Sequence, residues 1–537
     1  MGGVGLAQGW VWIRRLALGA VAVGLVLRFA NLDRKVYWHD EAYTSLRVAG
    51  YVGPAVEKAT ADRPSLTAAD LMRYQQMPPA PSLADCWTAL VANPEHPPLY
   101  YLLAHGWGRL FGASVAGYRA IAALFGAIAL PVMFWLARQL FPLRPAVAWV
   151  AVALLAVSPV QLVYGQEARE YTLWVVGLLL AHGSLVQALH QKTPWAWVTY
   201  GLALGLAWYG SLVTALLGLS HLVYMALSQR RVRPWVGYGL ANGLGLLLFA
   251  PWIWTLVQQW GRFQKVTGWT REPSPLGFLA QLWGLHYSAT VVDFNLPLNH
   301  PFTVVGPTLV LGLGAIALGH LWRHYPRSTA LFLTCGLLIP PLVLIGHDIL
   351  KAAQISRNTR YFLPSLVLMP LAIAVLVTHW LTFSQRWVRG LGAALLALVL
   401  MVGLASGVTN VRAFTWWNKA FSSSNRFIAA DINQLPDPMV IVGPSNIALG
   451  EALSLSHYLR PDTPVWLLSD QTLPTAAALR AAHPQGSLVL FKASPDLLET
   501  VPPGWQIALA DEAAQFSPYD VVRLIPPPGS QPRPMPG

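Results

Sequence analysis

Long apolar stretches recur along roughly the first 411 residues, and short loops between them carry most of the charged and turn-forming residues. A helix needs about 20 apolar residues to cross the hydrocarbon core of a bilayer. The pattern predicts eleven membrane-spanning helices, near residues 13–30, 115–138, 145–163, 172–190, 195–210, 212–228, 235–255, 303–321, 329–347, 361–380 and 391–411. Most of the chain is therefore expected to lie in a membrane.

The segment 96–112, HPPLYYLLAHGWGRLFG, is apolar enough to be a further span, but the charge pattern argues against it. Short cytoplasmic loops are rich in Lys and Arg. If this segment lies along the membrane surface, all the short basic loops fall on one side; they contain Arg14, Arg15, Arg138, Arg144, Lys192, Arg230, Arg231, Arg233, Arg323, Arg327, Arg386 and Arg389. Its prolines, histidines, Tyr and Trp are also typical of an interfacial helix.

This topology predicts a cytoplasmic N-terminus and places four connecting segments and the C-terminal tail on the opposite, outer side. The outer segments are 31–114, 158–171, 256–302 and 347–361. We interpret the first apolar run as a retained anchor rather than a cleaved signal, because Arg28 interrupts the position where small residues are needed. Arg28 is expected to extend towards the membrane surface. Two mid-span histidines, His182 and His221, are expected to form interhelical hydrogen bonds.

Composition agrees with a membrane protein. Hydrophobic residues make up 55% of the 537 residues, charged residues only 11%, and the mean hydropathy is +0.46. The formal net charge of +13 follows from the basic loops, and no nucleic-acid motif accompanies it, so nucleic acid is not an expected partner. Cys86 and Cys335 are the two cysteines, and the second lies in an apolar run, so no disulfide is expected.

The tail after residue 411 changes character. Short β-like runs, MVIVG, PVWLLS, SLVLFK, WQIALA and DVVRLIP, alternate with helical segments such as ALGEALSLSHYL and PTAAALRAAH. This alternation predicts a small α/β domain. The predicted organisation is thus a mainly α, polytopic membrane domain over 1–411, with interfacial helices in its outer loop 31–114. A non-cytoplasmic α/β domain follows over 412–526, and then a Pro-rich, disordered tail over 527–537.

The stretch VYWHDEAYTS carries Asp40 and Glu41 just after the first apolar run. If a helix begins near Asp40, its exposed amides favour the ionised carboxylate, which suits a general base or a metal ligand. The alternative is that Asp40 only caps the helix. In PEHPPLYY, Glu95 and His96 precede the interfacial segment; His can donate to a phosphate or bind a metal, and Glu can bind one. The alternative is an ordinary proline-initiated helix start.

Two further outer segments are unusually polar. In SPVQLVYGQEAREY, a helix would place Tyr164, Glu167, Ala168 and Tyr171 on one stripe with Arg169 beside it. In KAAQISRNTRYFLP, Arg357 and Arg360 would be one helical turn apart on the side that positive charge normally avoids. Arginine there indicates an anionic partner such as a lipid-linked phosphate. The alternatives are a structural ion pair at Arg169 and contact with anionic headgroups at the Arg pair.

Four quoted segments, YWHDEAYTS, HPPLYYLLAHGWGRLFG, SPVQLVYGQEAREY and RNTRYFLP, occur in the order seen in polytopic C-type glycosyltransferases. Over about residues 10–412 the chain resembles the family 39 relatives of protein O-mannosyltransferases and lipid A aminoarabinose transferase. The resemblance implies a GT-C-type helical bundle and a polyprenyl-phosphate sugar as donor. It also implies inverting transfer to a glycan, lipid or protein acceptor at the outer face of a bacterial plasma membrane.

The resemblance also implies roles for individual residues. Asp40 matches the catalytic carboxylate that activates the acceptor, and Glu41 would orient that acceptor. His96 stands where aminoarabinose transferases have a Lys that contacts the donor phosphate, and Glu95 matches a metal-binding Glu of some relatives, so a divalent ion is an open expectation. Donor contacts are implied at Arg169, Tyr171, Arg357, Arg360 and Tyr361.

Two other functions remain open from the sequence. A lipid-linked glycan polymerase or ligase would need a longer outer groove, which the extended first loop and the tail offer. A transporter would need ionisable residues buried in mid-span and an inverted repeat, and neither is evident in the sequence. The clustered Asp, His and Arg residues of the outer face argue against a pure scaffold, and the resemblance to the family implies a glycosyltransferase.

Overall fold

A computed structural model of the chain describes residues 3–484, 486–509 and 521–525, without the side chains of 3–10, 508 and 509. The predicted Pro-rich tail 527–537 lies outside the described residues.

The α-helices of the described residues are α1 (Gly3–Phe29), α2 (His39–Val48), α3 (Gly53–Thr60), α4 (Ala68–Arg73), α5 (Leu83–Val91), α6 (Leu99–Phe111), α7 (Val115–Leu140), α8 (Pro145–Val157), α9 (Pro159–Gly165), α10 (Tyr171–Gln191), α11 (Pro194–Gly210), α12 (Thr214–Ser228), α13 (Val232–Gln258), α14 (Trp260–Val266), α15 (Leu276–Ser288), α16 (Phe302–His324), α17 (Arg327–Lys351), α18 (Leu363–Leu366), α19 (Met369–Leu381), α20 (Arg386–Arg412), α21 (Asn425–Gln434), α22 (Ala448–Ser456), α23 (Ala476–Ala482) and α24 (Pro495–Glu499). Short 3₁₀ helices cover Gly268–Arg271, Ile355–Arg357, Thr359–Phe362 and Trp417–Ser422. The strands are β1 (Pro438–Val442), β2 (Val465–Leu467), β3 (Ser487–Phe491), β4 (Gln506–Leu509) and β5 (Val521–Ile525).

Each of the eleven predicted spans coincides with a helix or a bent helix pair. Among the described residues, seven segments are long and apolar enough to cross a membrane: Val115–Leu140, Tyr171–Gln191, Val232–Gln258, Phe302–His324, Arg327–Lys351, Thr359–Leu381 and Arg386–Ser422. The bent pair α8 and α9 makes an eighth if it is counted as one span. The other three predicted spans are α1, whose described part contains three arginines, and α11 and α12, which have only 17 and 15 residues.

The segment 96–112 forms α6, a helix of 13 residues. At 1.5 Å per residue it is about 20 Å long, which is shorter than the ~30 Å hydrocarbon core. The charge-based prediction that this segment does not span the membrane therefore agrees with its length.

The break between α8 and α9 explains the position of Arg28. Ser158 precedes Pro159 and adopts an extended conformation, as residues before proline do, and the two helices meet at 57°. The carbonyls of Leu155 and Ala156 at the end of α8 accept hydrogen bonds from the Arg28 guanidinium at 3.1 and 2.6 Å. Arg28 is buried, so the prediction that it extends to the membrane surface was wrong.

Buried histidines in the helical bundle are paired as predicted. His221 Nε2 lies 3.0 Å from His182 Nδ1, and its Nδ1 lies 2.9 Å from the Tyr200 hydroxyl, so the three side chains link α10, α11 and α12. Cys86 and Cys335 are both buried and both free thiols, in agreement with the absence of a predicted disulfide.

The chain divides into two compact units. Unit 1 contains residues 1–32, 90–103 and 118–413, and unit 2 contains residues 33–89, 104–117 and 414–537. The end of unit 1 at Ala413 lies next to the predicted boundary at 412. Much of the first predicted outer loop belongs to the same unit as the tail.

Unit 2 is built on a five-stranded mixed sheet in the order β2-β1-β3-β5-β4. β1 is parallel to β2 and β3, whereas β5 is antiparallel to β3 and β4. Each strand lies on one of the five predicted β-like runs. Inward side chains such as Ile441, Leu490 and Val522 form the core under the sheet.

Residues 61–69 of the first loop cover the β2 edge of this sheet. Val465 N donates to Leu66 O at 2.7 Å, and Asp62 N donates to Leu467 O at 2.8 Å. The unpaired N–H and C=O groups of an exposed edge strand can pair with other chains. These backbone hydrogen bonds occupy such groups on β2. Segments far apart in sequence thus form one folded unit.

Candidate functional site

In unit 2, α2 carries Asp40 and Glu41 in its first turn, and Trp38 is the residue at the N-cap. Asp40 is therefore inside the first turn of the helix, next to its exposed amides. It does not occupy the N-cap position, which was the alternative role considered from the sequence. Glu41 is fully buried, and its Oε2 atom lies 2.7 Å from Lys419 Nζ, which is 1% exposed. This ion pair ties the first turn of α2 to the segment that begins the tail.

A second buried carboxylate, Glu451 on α22, completes the support for α2. Its Oε1 accepts a 2.5 Å hydrogen bond from Ser422 Oγ, and the same Ser422 hydroxyl accepts from His39 N at 2.9 Å. The Lys492 ammonium lies 3.8 Å from Glu451 Oε2. Gly450 is required beside it, because a Cβ there would overlap the His39 ring. The residue next to Asp40 on either side is therefore held by tail residues.

In unit 1, a polar cluster forms where α9 gives way to α10. Gln166 fixes the connecting turn to the end of α1 by donating to Leu27 O at 2.7 Å and to Ala30 O at 2.8 Å. Four residues later, Glu170 stands at the start of α10 and turns its carboxylate into the cluster instead of capping the helix. The predicted helical stripe through Glu167 does not form, because residues 166–170 are a turn.

Glu170 is the centre of this cluster. Its Oε2 accepts a hydrogen bond from the Tyr101 hydroxyl at 3.0 Å and lies 3.3 Å from Arg169 Nε. Its Oε1 lies 3.2 Å from His96 Nδ1. Burial would raise the pKa of Glu170, but the positive Arg169 and the bond to His96 outweigh it and hold the pKa well below its usual value. Glu170 is therefore an ionised carboxylate.

His96 is neutral in this setting. Burial and the neighbouring Arg169 guanidinium lower the pKa of His96, and they outweigh the opposite influence of Glu170 and Glu95. Glu170 Oε1 lies 3.2 Å from His96 Nδ1, and Arg169 Nη2 lies against the same ring, 3.3 Å from Nδ1 and 3.4 Å from Nε2. His96 thus does not supply the permanent cation that a Lys would supply at this position.

The segment 92–96 is held in place by two side chains of unit 1. Trp252 Nε1 donates to Pro94 O at 3.1 Å, and Arg262 Nε donates to Ala92 O at 3.0 Å. Glu95 Oε1 lies 3.6 Å from His96 Nε2. A divalent ion fits poorly here, because the Arg169 guanidinium already contacts the His96 ring and would repel a second cation.

The two arginines Arg169 and Arg360 share one aromatic partner. The guanidinium carbons of Arg169 and Arg360 lie 5.6 and 5.9 Å from the centre of the Tyr171 ring. Arg360 Nη1 also donates to the Tyr171 hydroxyl at 3.0 Å and lies over the Tyr361 ring. Arg169 is additionally paired with Glu170. The two guanidinium groups thus lie at one aromatic ring and concentrate positive charge there.

The segment that carries Arg360 is positioned by two buried side chains. Asp348, fully buried at the end of α17, accepts hydrogen bonds from Ser356 N at 2.7 Å and Ile355 N at 3.1 Å. His286 binds Thr359 Oγ1 through Nδ1 at 2.7 Å and Ser356 O through Nε2 at 3.1 Å. Burial lowers the pKa of His286 to about 4, so it is neutral.

The structure separates Arg357 from Arg360. The two residues lie in successive 3₁₀ helices, Ile355–Arg357 and Thr359–Phe362, rather than one turn apart on one helix. Arg357 is exposed, donates to Gln354 Oε1 at 3.3 Å and lies over the Phe278 ring. Contacts thus connect His96, Arg169, Tyr171, Arg360 and Tyr361, whereas Arg357 contacts Gln354 and Phe278 instead.

Sequence reasoning missed several residues of these clusters. Glu170 and Tyr101 were not singled out, although an acidic residue beside Arg169 in an outer segment was a usable signal. Lys419 and Glu451 were also missed. The signal for Glu451 is a single carboxylate inside the otherwise apolar ALGEALSLS segment, which predicts a buried and paired acid.

The fold is that of the C-type membrane glycosyltransferases, as the resemblance predicted. A crystal structure of ArnT from Cupriavidus metallidurans bound to undecaprenyl phosphate superimposes with a TM-score of 0.55 at 15% identity, covering 98% of this chain and 100% of that chain. The apo state of the same protein gives 0.54 at 15% identity, covering 97% and 98%.

The sequence comparisons are narrower. A family model described as dolichyl-phosphate-mannose-protein mannosyltransferase matches residues 95–254, which include His96, Arg169 and Glu170. No curated protein matches the chain. An oligosaccharyltransferase from Archaeoglobus fulgidus in the apo form has a TM-score of 0.49 at 11% identity, covering 84% of this chain and 64% of that chain.

Proposed function

We propose that this protein transfers a hexosyl or pentosyl group from a polyprenyl-phosphate donor to an acceptor hydroxyl, with inversion, at the outer face of a bacterial plasma membrane. The observation that carries the proposal is the pair of guanidinium groups, Arg169 and Arg360, on the Tyr171 ring. The likeness in fold to an ArnT structure that holds undecaprenyl phosphate supports a lipid-linked donor. The proposed orientation in the membrane has a cytoplasmic N-terminus and places unit 2 on the outer side of the membrane.

The donor side of the reaction needs groups that stabilise the departing phosphate. As the bond from the sugar to the phosphate breaks, negative charge develops on the phosphate oxygens, and fixed donors aimed at them lower the barrier. We assign this role to Arg360, with Arg169 as the second positive charge and Tyr361 and Tyr171 as the aromatic surfaces that hold the two side chains. Neutral His96 orients Glu170 and Arg169, and exposed Arg357 contacts the lipid-linked anion from outside the cluster.

The acceptor side needs a base. An acceptor hydroxyl loses its proton as it attacks the anomeric carbon, and an ionised carboxylate within hydrogen-bond reach accepts it. We assign this role to Asp40, whose place in the first turn of α2 favours the ionised form. Glu41, predicted to orient the acceptor, is buried against Lys419, so we assign to it the positioning of the helix that carries Asp40.

The first test compares wild type with Asp40→Asn in a transfer assay. Purified full-length protein is incubated with radiolabelled polyprenyl-phosphate sugars and a membrane extract as acceptor. Asp40→Asn is expected to lose about 10²- to 10⁴-fold in rate, the usual contribution of a general base. Asp33→Asn, the same change at an exposed residue seven positions earlier, serves as the control and should transfer at the wild-type rate.

The labelled product separates the remaining functions. Addition of one sugar to a lipid, protein or glycan supports the proposal and names the acceptor class. A ladder of long products would instead indicate a polymerase or ligase. Equal transfer rates for wild type and a folded Asp40→Asn would remove Asp40 from the mechanism.

The donor side is tested with Arg360→Ala and Arg360→Lys. Loss of one charge-stabilising donor costs about 10²- to 10³-fold in turnover, and Lys is expected to recover only part because it lacks the forked geometry. The control is Arg271→Ala, an exposed arginine on the same predicted side of the membrane that binds the Gln264 carbonyl. A folded Arg360→Ala variant with wild-type turnover would contradict the assignment.

A further inference from the structure

Three histidines meet at one end of the helical bundle of unit 1. His320 and His324 lie one turn apart near the end of α16, and His379 lies near the end of the neighbouring α19. One ring nitrogen from each histidine lies within 4.8 Å of the others. The ring centres are separated by 4.2, 4.3 and 4.8 Å.

Two ring nitrogens of this cluster lack a hydrogen-bond partner among the described residues. Among the described residues, His320 Nε2 and His379 Nδ1 are buried and make no hydrogen bond. His324 Nδ1 lies 3.1 Å from the His320 carbonyl oxygen. The other ring nitrogen of His324, Nε2, is therefore the one that remains for a ligand. A buried polar atom without a partner costs about 1–3 kcal/mol, so this arrangement calls for a ligand.

The apolar surroundings make the open nitrogens more significant. A cavity of about 250 Å³ beside the histidines is lined by aromatic and aliphatic side chains, among them Trp380, Phe383 and Trp387. These side chains offer few groups that accept a proton from an imidazole. In the same unit, His221 uses both ring nitrogens in hydrogen bonds, to His182 and to Tyr200, whereas His320 and His379 each keep a buried nitrogen without a partner among the described residues.

The cluster is separate from the candidate glycosyltransferase site. His379 and Arg360 lie at opposite ends of the segment Thr359–Leu381. Nineteen residues at 1.5 Å each place them roughly 28 Å apart if the segment is read as a continuous helix. The histidines therefore have no direct role in the reaction proposed above.

We propose that His320, His324 and His379 bind a transition-metal ion of the zinc class, which links α16 to α19. Imidazole nitrogen is a preferred ligand of Zn²⁺, Cu²⁺ and Ni²⁺, and three histidines leave a fourth position for water. Bonds of about 2.0–2.1 Å in a tetrahedral site place ligand nitrogens roughly 3.4 Å apart, whereas the nitrogens here lie within 4.8 Å of one another, so the rings close by up to about 1.4 Å on binding. The guanidinium of Arg144, which donates a hydrogen bond to the Tyr325 hydroxyl at 2.8 Å, is a nearby positive charge. It repels the metal ion, so the three imidazole ligands must outweigh this repulsion.

The test measures metal binding by the full-length chain, purified in detergent with a tag that contains no histidine. The protein is stripped with a chelator and equilibrated with Zn²⁺ alone. Wild type is expected to retain one ion per chain in elemental analysis. His324→Gln, a change at an exposed side chain that the fold tolerates, should weaken binding by at least about 100-fold, because even the loss of an outer-shell partner costs about 10- to 100-fold.

Two controls keep the result specific. His190→Gln, at an exposed histidine near the end of α10, should bind like wild type, and Glu95→Gln should as well, which separates this site from any ion at the candidate active site. Co²⁺ added to the stripped protein should give the visible absorption of a four-coordinate nitrogen site, and His379→Gln should abolish it. Wild type that binds no ion, or a His324→Gln variant that binds with unchanged affinity, would overturn the proposal.

Discussion

Replacing Lys419 with methionine should destabilise unit 2 strongly, because it removes the ammonium that pairs with Glu41. The two charged atoms lie 2.7 Å apart, and the side chains are only 1% and 0% exposed, so water cannot take over the role of the lost partner. Breaking a buried ion pair by removing one member costs about 3–5 kcal/mol. The expected free-energy cost of Lys419→Met is in this range.

For a unit of this size, about 1 kcal/mol corresponds to roughly 2–4 °C in melting temperature. Lys419→Met should therefore lower the melting transition of unit 2 by about 6–20 °C, measured on the purified full-length chain in detergent. Hydrogen exchange followed by mass spectrometry gives the local result: the peptide that contains α2 (His39–Val48) should exchange faster than in wild type.

Two companion variants make this prediction specific. Lys58→Met makes the same change at an exposed position of α3 and should melt within about 1 °C of wild type, as surface substitutions usually do. The double variant Glu41→Met with Lys419→Met removes both charges and should be more stable than either single variant. The reasoning is refuted if Lys419→Met melts within about 2 °C of wild type while the α2 peptide keeps its protection.

The remaining predictions concern the packing of α2 and the charges at the start of α10. Gly450→Ala should lower stability by about 1–3 kcal/mol and reduce transfer activity, because its Cβ overlaps the His39 ring, whereas Gly261→Ala, which meets no atom within 4 Å, should do neither. Glu170→Gln should cost about 3–5 kcal/mol in melting experiments, since Glu170 is the carboxylate paired with a buried guanidinium; a loss below 1 kcal/mol would contradict this. The pKa values of Glu170 and His96 are lower in the folded chain than in the unfolded chain, so the unfolded chain binds protons more readily. Stability should therefore fall as the pH drops below 6.5, the pKa of His96 in the unfolded chain. It should fall again below pH 4.5, the pKa of Glu170 in the unfolded chain. Melting temperatures measured from pH 8 to pH 3 test this, and a His96→Asn variant should show a smaller first decrease, the remainder coming from buried histidines such as His286, whose pKa is also lowered.

Local patterns in the sequence are sufficient for the spans and the strands. A stretch such as SLVLFK is bounded by turn residues and rich in branched side chains, so its conformation follows from its own composition. The same holds for the apolar runs, whose length and hydropathy decide whether they form helices in a membrane. These features depend on neighbouring residues only.

The features that sequence did not predict depend on distant residues. Nothing local to Glu41 indicates that Lys419, 378 positions later, will be its partner. Two carbonyl partners of Arg28 lie on a helix more than 120 residues away, although the Ser158-Pro159 pair was a signal for the break that exposes them. Glu170 was overlooked because a continuous helix was assumed across residues 166–170, and a turn there directs Glu170, not Glu167, towards His96.

The edge of the sheet covered by residues 61–69 has a consequence for biosynthesis. Residues 61–69 are synthesised about 400 residues before their partner strand β2 (Val465–Leu467), an interval of roughly 20–80 s at ~5–20 residues per second. During that interval the loop lacks the β2 edge with which it later pairs. A fragment that contains only the tail has the complementary problem, because its β2 edge is left open to other chains.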